Sequence, residues 1–173
     1  MPFSRFSFSW FPALAATALL AGCCAGPAPY HYAYVPGKTA VVVNRGHAAV
    51  PESAPPQVKA AIAAGNKIAG LPYRRGGGHA RLNDSAYDCS GATSFVLREA
   101  GLLQAPIPST SFRAYGEKGQ GDWISVYARK GHVFLVVAGL RFDTGYAGGA
   151  TGPRWTTLSR PVNGCVVRHP EGM

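Results

Sequence analysis

The stretch that organises this chain is residues 86–92, which read Ala86-Tyr87-Asp88-Cys89-Ser90-Gly91-Ala92. It places a cysteine in the first turn of an apolar helix predicted over residues 89–100, with Gly101 as its C-terminal cap. A helix N-terminus carries unpaired N–H groups and a partial positive charge, which favour the nucleophilic thiolate form of a cysteine. Cys89 is therefore a candidate nucleophile, and the alternative is a buried thiol of the core.

The segments on either side of this helix predict an α+β fold. A second helix is predicted over residues 57–69, and three consecutive glycines at 76–78 indicate a loop in which backbone approaches another group closely. Strands are predicted at 123–127, 132–138, 140–144 and 165–168. Because helices come first and strands second, we expect the helices to pack on a small antiparallel β-sheet.

The N-terminus has the pattern of a targeting segment. Residues 1–22 combine one early positive charge with an apolar run too short to span a membrane, which is typical of a signal peptide. The end of this run, Leu20-Ala21-Gly22-Cys23, resembles the lipobox of bacterial lipoproteins, and this resemblance implies lipid attachment at Cys23. The alternative is an ordinary secreted protein.

Residues 23–56 are rich in proline, glycine and alanine and are predicted to link a lipid anchor to a domain over 57–173. A short strand within residues 39–44 could dock on that domain. Cys24 follows Cys23 directly and no aspartate does, which by analogy favours the periplasmic side of the outer membrane over the inner membrane.

Composition limits the partners. Lys and Arg (17) outnumber Asp and Glu (8), giving a net charge of +9, which favours an anionic partner. The basic residues are scattered and no nucleic-acid motif accompanies them, so nucleic acid is not predicted as a partner. The cysteines and histidines lack paired metal-ligand spacing, so we predict neither a metal site nor a cofactor. Cys165 is predicted to be a buried strand thiol.

His132 is the candidate general base for Cys89. It opens a strand of six apolar residues, and a thiol, an imidazole and a third polar group that orients the imidazole form a nucleophilic triad. His79 is a weaker alternative, because it lies in the glycine loop with no orienting element.

The third group is predicted on the next strand. If residues 139–140 form a two-residue turn, Asp143 lies opposite Val136 and shares a face with His132. A three-residue turn would bring Thr144 to that face instead. Asp143 is favoured, and its alternative is a surface aspartate paired with Arg141 or Arg154.

Three motifs together resemble the NlpC family of bacterial cell-wall cysteine peptidases. They are Leu71-Pro72-Tyr73-Arg74-Arg75-Gly76-Gly77, Asp88-Cys89-Ser90-Gly91 and Gly131-His132-Val133. The resemblance covers residues 57–168 and implies a papain-like fold, with Cys89 as nucleophile and His132 as base. It also implies that Tyr73 lies beside the nucleophile and binds substrate or stabilises the oxyanion. Backbone N–H groups at the helix start, including that of Ser90, would complete the oxyanion hole.

The resemblance implies a hydrolase that cuts amide bonds in peptidoglycan stem peptides, as a γ-D-glutamyl/diaminopimelyl endopeptidase. Separately, we expect the protein to be a monomer. The chain departs from the family at the third position, where His, Asn or Gln is common and Asp143 stands here. Two alternatives stay open: an inactive wall-binding lipoprotein on the same fold, and an amidase or acyltransferase that uses the same Cys–His pair.

Overall fold

The computed structural model describes residues 1, 27–81, 83–145 and 150–173. The predicted signal peptide, Cys23 and Cys24 lie outside these residues. The helices are α1 (Pro56–Ile68), α2 (Cys89–Glu99) and a short 3-10 helix (Ser111–Ala114). The strands are β1 (Val41–Val42), β2 (Ala48–Ala49), β3 (Glu117–Lys118), β4 (Ile124–Arg129), β5 (His132–Val137), β6 (Leu140–Asp143), β7 (Arg154–Thr156) and β8 (Val166–His169). None of the helices in this described part of the chain is long and apolar enough to cross a membrane.

The larger sheet is antiparallel, with the strand order β3-β8-β4-β5-β6-β7, and β1 and β2 form a separate antiparallel pair. All strands of the larger sheet follow α1 and α2, as the sequence predicts, and the predicted mixed class with an antiparallel sheet is confirmed. The three-residue strand β7 and the two-residue strands β2 and β3 were not predicted, since segments this short show no measurable alternation.

Helix α1 begins at a proline, which suits a first turn that lacks acceptors for its N–H groups. Its buried face includes Val58, Ile62 and Ile68. Gly65 is required on this face, because a Cβ there would fall 2.5 Å from the ring of Trp155 on β7. This close approach packs the edge strand β7 against α1.

Helix α2 begins at Cys89, as the sequence indicates, and its N-cap is Asp88. The Asp88 carboxylate accepts a hydrogen bond from the backbone N–H of Gly91, which satisfies one of the unpaired donors of the first turn. Phe95, Val96 and Leu97 are all buried, so the helix is enclosed on most sides. The buried face fixes α2 on the sheet and thereby fixes the position of Cys89.

The two faces of the sheet bury different clusters. Val133, Leu135 and Val137 of β5 face the main core beneath the helices. The opposite face carries a smaller cluster formed by Tyr127, Phe134, Val162 and Cys165. Cys165 is a buried free thiol here and precedes β8 by one residue, whereas the sequence predicted that the strand would start with it.

The predicted register of the β5–β6 hairpin is wrong by two residues. Val137 pairs with Leu140, so the turn consists of Ala138 and Gly139, both with positive φ (46° and 72°), as a primed two-residue turn requires. Consequently Arg141, rather than Asp143, lies opposite Val136.

Continuing the observed register places Asp143 opposite Phe134. Side chains alternate along a strand with a period of two, so a shift of two residues leaves each side chain on its original face. Asp143 therefore shares the face of His132, although the turn that led to this expectation is a different one.

Part of the segment predicted as a linker packs against the domain. Tyr30 is buried and forms an isolated antiparallel bridge with Arg160. The backbone N–H of Ala40 donates to the carbonyl of Ala138 at the β5–β6 turn. The structure thus adds contacts between residues 27–54 and the sheet that composition alone does not reveal.

Candidate active site

Cys89, the first residue of α2, lies on the wall of a cleft of about 350 Å³. The cleft is lined by Tyr73, Cys89, Gly131, His132, Thr144, Gly145, Ala150 and Arg160. Cys89 is partly exposed, in contrast to Cys165, which is buried and whose pKa is raised by that burial. Of these two thiols, Cys89 is the one that a substrate can reach.

His132 connects the cysteine to a carboxylate. Its Nε2 atom lies 2.9 Å from Oδ1 of Asp143, and its side chain lines the same cleft as that of Cys89. A carboxylate only accepts hydrogen bonds, so Nε2 carries the proton and Nδ1 is the ring nitrogen left for the thiol. The structure thus places Cys89 and His132 in one cleft, with Asp143 hydrogen-bonded to His132.

The pKa of His132 is raised above its ordinary value. Burial by itself lowers this pKa, because it disfavours the charged imidazolium. The hydrogen bond with Asp143 and the interaction with the neighbouring Cys89 side chain raise the pKa, and together they outweigh burial. This environment therefore supports the imidazolium that forms when the histidine takes a thiol proton.

Asp143 is held by arginines on the side away from His132. Arg160 Nη1 donates to its Oδ2 at 2.8 Å, and Arg141 Nε lies 3.4 Å from the same oxygen. The Asp143 side chain is fully buried, as is that of Arg141. A buried carboxylate needs compensating partners of this kind to remain ionised. Asp143 is thus not the surface aspartate that the sequence left as an alternative.

Thr144 also lines the cleft, but the observed partner of the imidazole is Asp143. Arg160 was not identified from the sequence. It lies in an irregular segment after β7, and no period or spacing relates it to Cys89 or His132. Residues contributed by loops from distant parts of the chain carry no local sequence signal.

Tyr73 lies beside Cys89 in the cleft and forms a backbone bridge with Tyr87, just before α2. Burial raises the pKa of Tyr73, and the neighbouring Cys89 and Asp88 raise it further. Its hydroxyl therefore stays protonated and is available as a hydrogen-bond donor in the cleft. Whether it binds substrate or the oxyanion stays a prediction.

The Ser90 side chain is buried and points away from the cleft. Its Oγ donates to Asp88 Oδ1 at 3.0 Å and lies 3.1 Å from Nε2 of His79. What Ser90 can contribute to an oxyanion hole is its backbone N–H, which belongs to the first helical turn and has no helical acceptor. The predicted role of Ser90 therefore rests on the backbone.

The glycine loop supports the start of α2. A Cβ on Gly91 would fall 1.9 Å from the carbonyl oxygen of Gly77, so the loop and the helix approach each other at backbone distance. Asp88 joins them, because its carboxylate accepts from the N–H groups of both Gly76 and Gly91. Burial raises the pKa of Asp88, but these bonds and that from Ser90 lower it below its ordinary value. The sequence predicted that the backbone of this loop approaches another group closely, and that group is the first turn of α2.

His79 belongs to this support. Its Nε2 lies 3.2 Å from Asp88 Oδ1, and it is not among the residues that line the cleft. No group of three or more His, Cys, Asp or Glu residues suited to hold a metal ion occurs within residues 27–81, 83–145 and 150–173.

Comparison with known proteins supports the fold. No family model matches the chain, and no curated protein matches its sequence. Among solved structures, the chain is similar to an NlpC/P60 family protein from Bacillus cereus ATCC 10987, with 18% identity and a TM-score of 0.51. The match covers 65% of this chain but only 40% of the length of that protein. At this level of identity the similarity concerns the fold.

Proposed function

We propose that this protein is a cysteine peptidase that hydrolyses amide bonds in the stem peptides of peptidoglycan. The observation that carries the proposal is that Cys89, at the start of a helix, lines one cleft with His132, whose imidazole is hydrogen-bonded to the buried Asp143. Similarity in fold to an NlpC/P60 family protein supports the reaction class.

In the proposed reaction, His132 takes the proton of Cys89, and the thiolate sulfur attacks the carbonyl carbon of the scissile amide. The carbonyl oxygen gains negative charge and is stabilised by the N–H groups at the start of α2 and by the hydroxyl of Tyr73. The C–N bond then breaks, the amine leaves with the proton from His132, and a thioester remains on Cys89. Water, deprotonated by His132, attacks this thioester and releases the acid and the thiol.

Asp143 has an orienting role in this scheme. By accepting from Nε2 it fixes the ring so that Nδ1 faces the thiol, and it stabilises the imidazolium. A carboxylate can perform this task as well as the neutral or imidazole side chains common at the third position. The departure from the family pattern is therefore compatible with activity.

The proposed substrate class is supported by charge. The chain carries +9, and Arg160 lies in the cleft, so free carboxylates on a γ-D-glutamyl or diaminopimelyl unit would meet a favourable field. We further propose that the monomer is anchored at Cys23 to the outer membrane, facing the periplasm. A fully extended chain from Cys23 to the docked Tyr30 spans at most about 25 Å, which would keep the domain close to the membrane.

The test is digestion of purified sacculi with the wild type, Cys89→Ala and, as a matched control, Cys165→Ala. Mass analysis of the fragments identifies the bond that is cut. We expect cleavage by the wild type and the control and none by Cys89→Ala. Sacculus binding without cleavage by the wild type would instead identify a non-catalytic wall protein. Hydrolysis at a different acyl group would identify an amidase, and transfer products would identify an acyltransferase.

A further inference from the structure

Residues 27–40, here called the N-terminal strap, cross the sheet at the β5–β6 turn. Tyr30 is its anchor: the side chain is buried, and its hydroxyl donates to the carbonyl of Gly139 at 3.0 Å. Further along the strap, Ala40 donates to the carbonyl of Ala138. The strap thus holds both residues of the turn that joins the strand of His132 to the strand of Asp143.

Tyr30 also contacts both arginines that hold Asp143. Its backbone N–H donates to the carbonyl of Arg160 at 3.1 Å, and the N–H of Arg160 donates back at 3.2 Å. Its hydroxyl accepts from the backbone N–H of Arg141 at 3.1 Å, and its ring lies 5.8 Å from the Arg141 guanidinium carbon. Tyr30, which lies outside the predicted domain, therefore contacts both arginines, Arg160 through its backbone and Arg141 through its side chain.

Arg160 forms the link from the strap to the site. Its Nη1 donates to Asp143 Oδ2 at 2.8 Å and to the carbonyl of Gly145 at 3.3 Å, and its guanidinium lies 5.7 Å from the centre of the Phe134 ring. Arg160 lies in an irregular segment, so within the described residues its backbone is fixed at this point by the bridge to Tyr30.

We infer that Tyr30 and Arg160 are positioning residues for His132, and that they act through Asp143. The strap fixes Arg160, Arg160 fixes the Asp143 carboxylate, and the carboxylate fixes the imidazole that faces Cys89. Only the catalytic consequence of this positioning rests on the proposed function, because the geometry of His132 can be measured without a substrate.

The experiment measures solvent exchange of the His132 Nε2 proton by NMR in the full chain with ¹⁵N-labelled histidine. Variants are Tyr30→Ala, Arg160→Gln and the double variant, with Tyr30→Phe and Arg160→Lys as conservative changes. Tyr34→Ala is the matched control, since Tyr34 belongs to the same strap and is exposed. A melting curve for each variant shows that the fold is retained.

We expect Tyr30→Ala and Arg160→Gln each to accelerate exchange about tenfold, which is the effect of weakening one hydrogen bond. Because both act through Asp143, the double variant should exchange no faster than the faster single variant. The conservative changes should lie in between, and Tyr34→Ala should match the wild type. If Tyr30→Ala does not fold, Tyr30→Phe supplies the comparison.

Exchange that stays at the wild-type rate in the folded Tyr30 variants would overturn the inference, and so would fully multiplicative effects in the double variant. This outcome is separate from that of the sacculus digestion. Accelerated exchange in a protein that cuts no sacculi would support the positioning role and contradict the peptidase proposal. The reverse result would retain the peptidase and remove Tyr30 and Arg160 from its support.

Discussion

Two histidine–aspartate pairs flank the start of α2, and they differ in what surrounds them. His132 hydrogen-bonds Asp143 and lines the cleft together with Cys89. His79 bonds Asp88 outside the cleft, through a ring nitrogen that also lies within hydrogen-bond distance of Ser90. The same two residue types thus occur within reach of one helix terminus in two settings.

The difference lies in what each aspartate does. Asp88 caps α2 and holds the glycine loop through backbone N–H groups, so its carboxylate is occupied by the fold. Asp143 is bound by arginine side chains and by the imidazole, so it acts on the histidine. A His–Asp pair is therefore a candidate catalytic pair only when the second ring nitrogen faces a nucleophile, and residue type alone does not decide this.

The largest contrast should come from removing each histidine. His132→Ala should lower the rate of sacculus hydrolysis by roughly a thousandfold or more, because His132 is the only histidine or carboxylate among the described residues that line the cleft. His79→Ala should leave the rate within about threefold of the wild type, since His79 supports only the helix start. Rates from fragment release measure both. Equal losses in the two variants would remove the distinction between the pairs.

Exchanging each aspartate for its amide should separate rate from stability. Asp143→Asn should lower the hydrolysis rate by roughly a hundredfold or more, because an amide can present a donor to Nε2 and lose the ring orientation. Asp88→Asn keeps an acceptor for Gly91 but loses the charge, and should cost about 1 kcal/mol of unfolding free energy. Denaturant unfolding measures that loss, and a hundredfold loss of rate in Asp88→Asn at full stability would assign Asp88 to the chemistry.

The loop before α2 should lose stability in acid. The pKa of Asp84 is lowered from 3.8 to about 2, first by the hydrogen bond from the Gly78 N–H and then by that from Arg74. A lowered carboxylate pKa stabilises the fold above the ordinary value, and this contribution is lost as pH falls from about 4 to about 2. Unfolding curves across this window should show a weaker pH dependence in Asp84→Asn than in the wild type. An unchanged slope would show that the loop does not contribute.

The contribution of His132 to folding stability depends on pH in the opposite direction. Its pKa is raised, so its contribution to stability is complete below its ordinary value near 6.5 and is lost as pH rises through the folded-state pKa. The two sides of α2 thus depend on pH in opposite directions, with the loop weakened by acid and the His132 side weakened by base.

The smallest effect should come from Ser90→Ala. The change removes the hydroxyl that contacts Asp88 and His79 but keeps the backbone N–H. It should cost about 1 kcal/mol in unfolding free energy, with hydrolysis reduced by less than about threefold. A loss of rate comparable to that of His132→Ala would place the hydroxyl itself in the reaction.

The sequence predicted the parts of this site that lie on regular elements. Cys89 is identified by its place in the first turn of the apolar helix predicted over residues 89–100, and His132 by the strand it opens. The prediction placed Asp143 on the correct face of the sheet although it assigned the wrong turn residues. The face of a side chain changes only when the strand register shifts by an odd number of residues, and the error was two. The register itself depends on Ala138 adopting a positive φ, a conformation that alanine rarely adopts and that the sequence therefore does not predict.

The parts that the sequence missed lie on irregular segments. Arg160 and Tyr30 meet through one backbone bridge between positions 130 residues apart in numbering, and no pattern within either segment points to the other. The strap was predicted as linker because it is rich in proline and alanine, although a buried tyrosine fixes it to the sheet. Long-range contacts of this kind arise from packing and have no local period.

The most direct test of the account is to trap the thioester that it requires on Cys89. The full chain is mixed with a soluble stem peptide, quenched in acid within the first turnover and digested for mass analysis. The account predicts that the peptide containing Cys89 carries the mass of the acyl half of the substrate, and that Cys89→Ala gives neither adduct nor product. Product formation by Cys89→Ala, or an adduct on another residue, would contradict it.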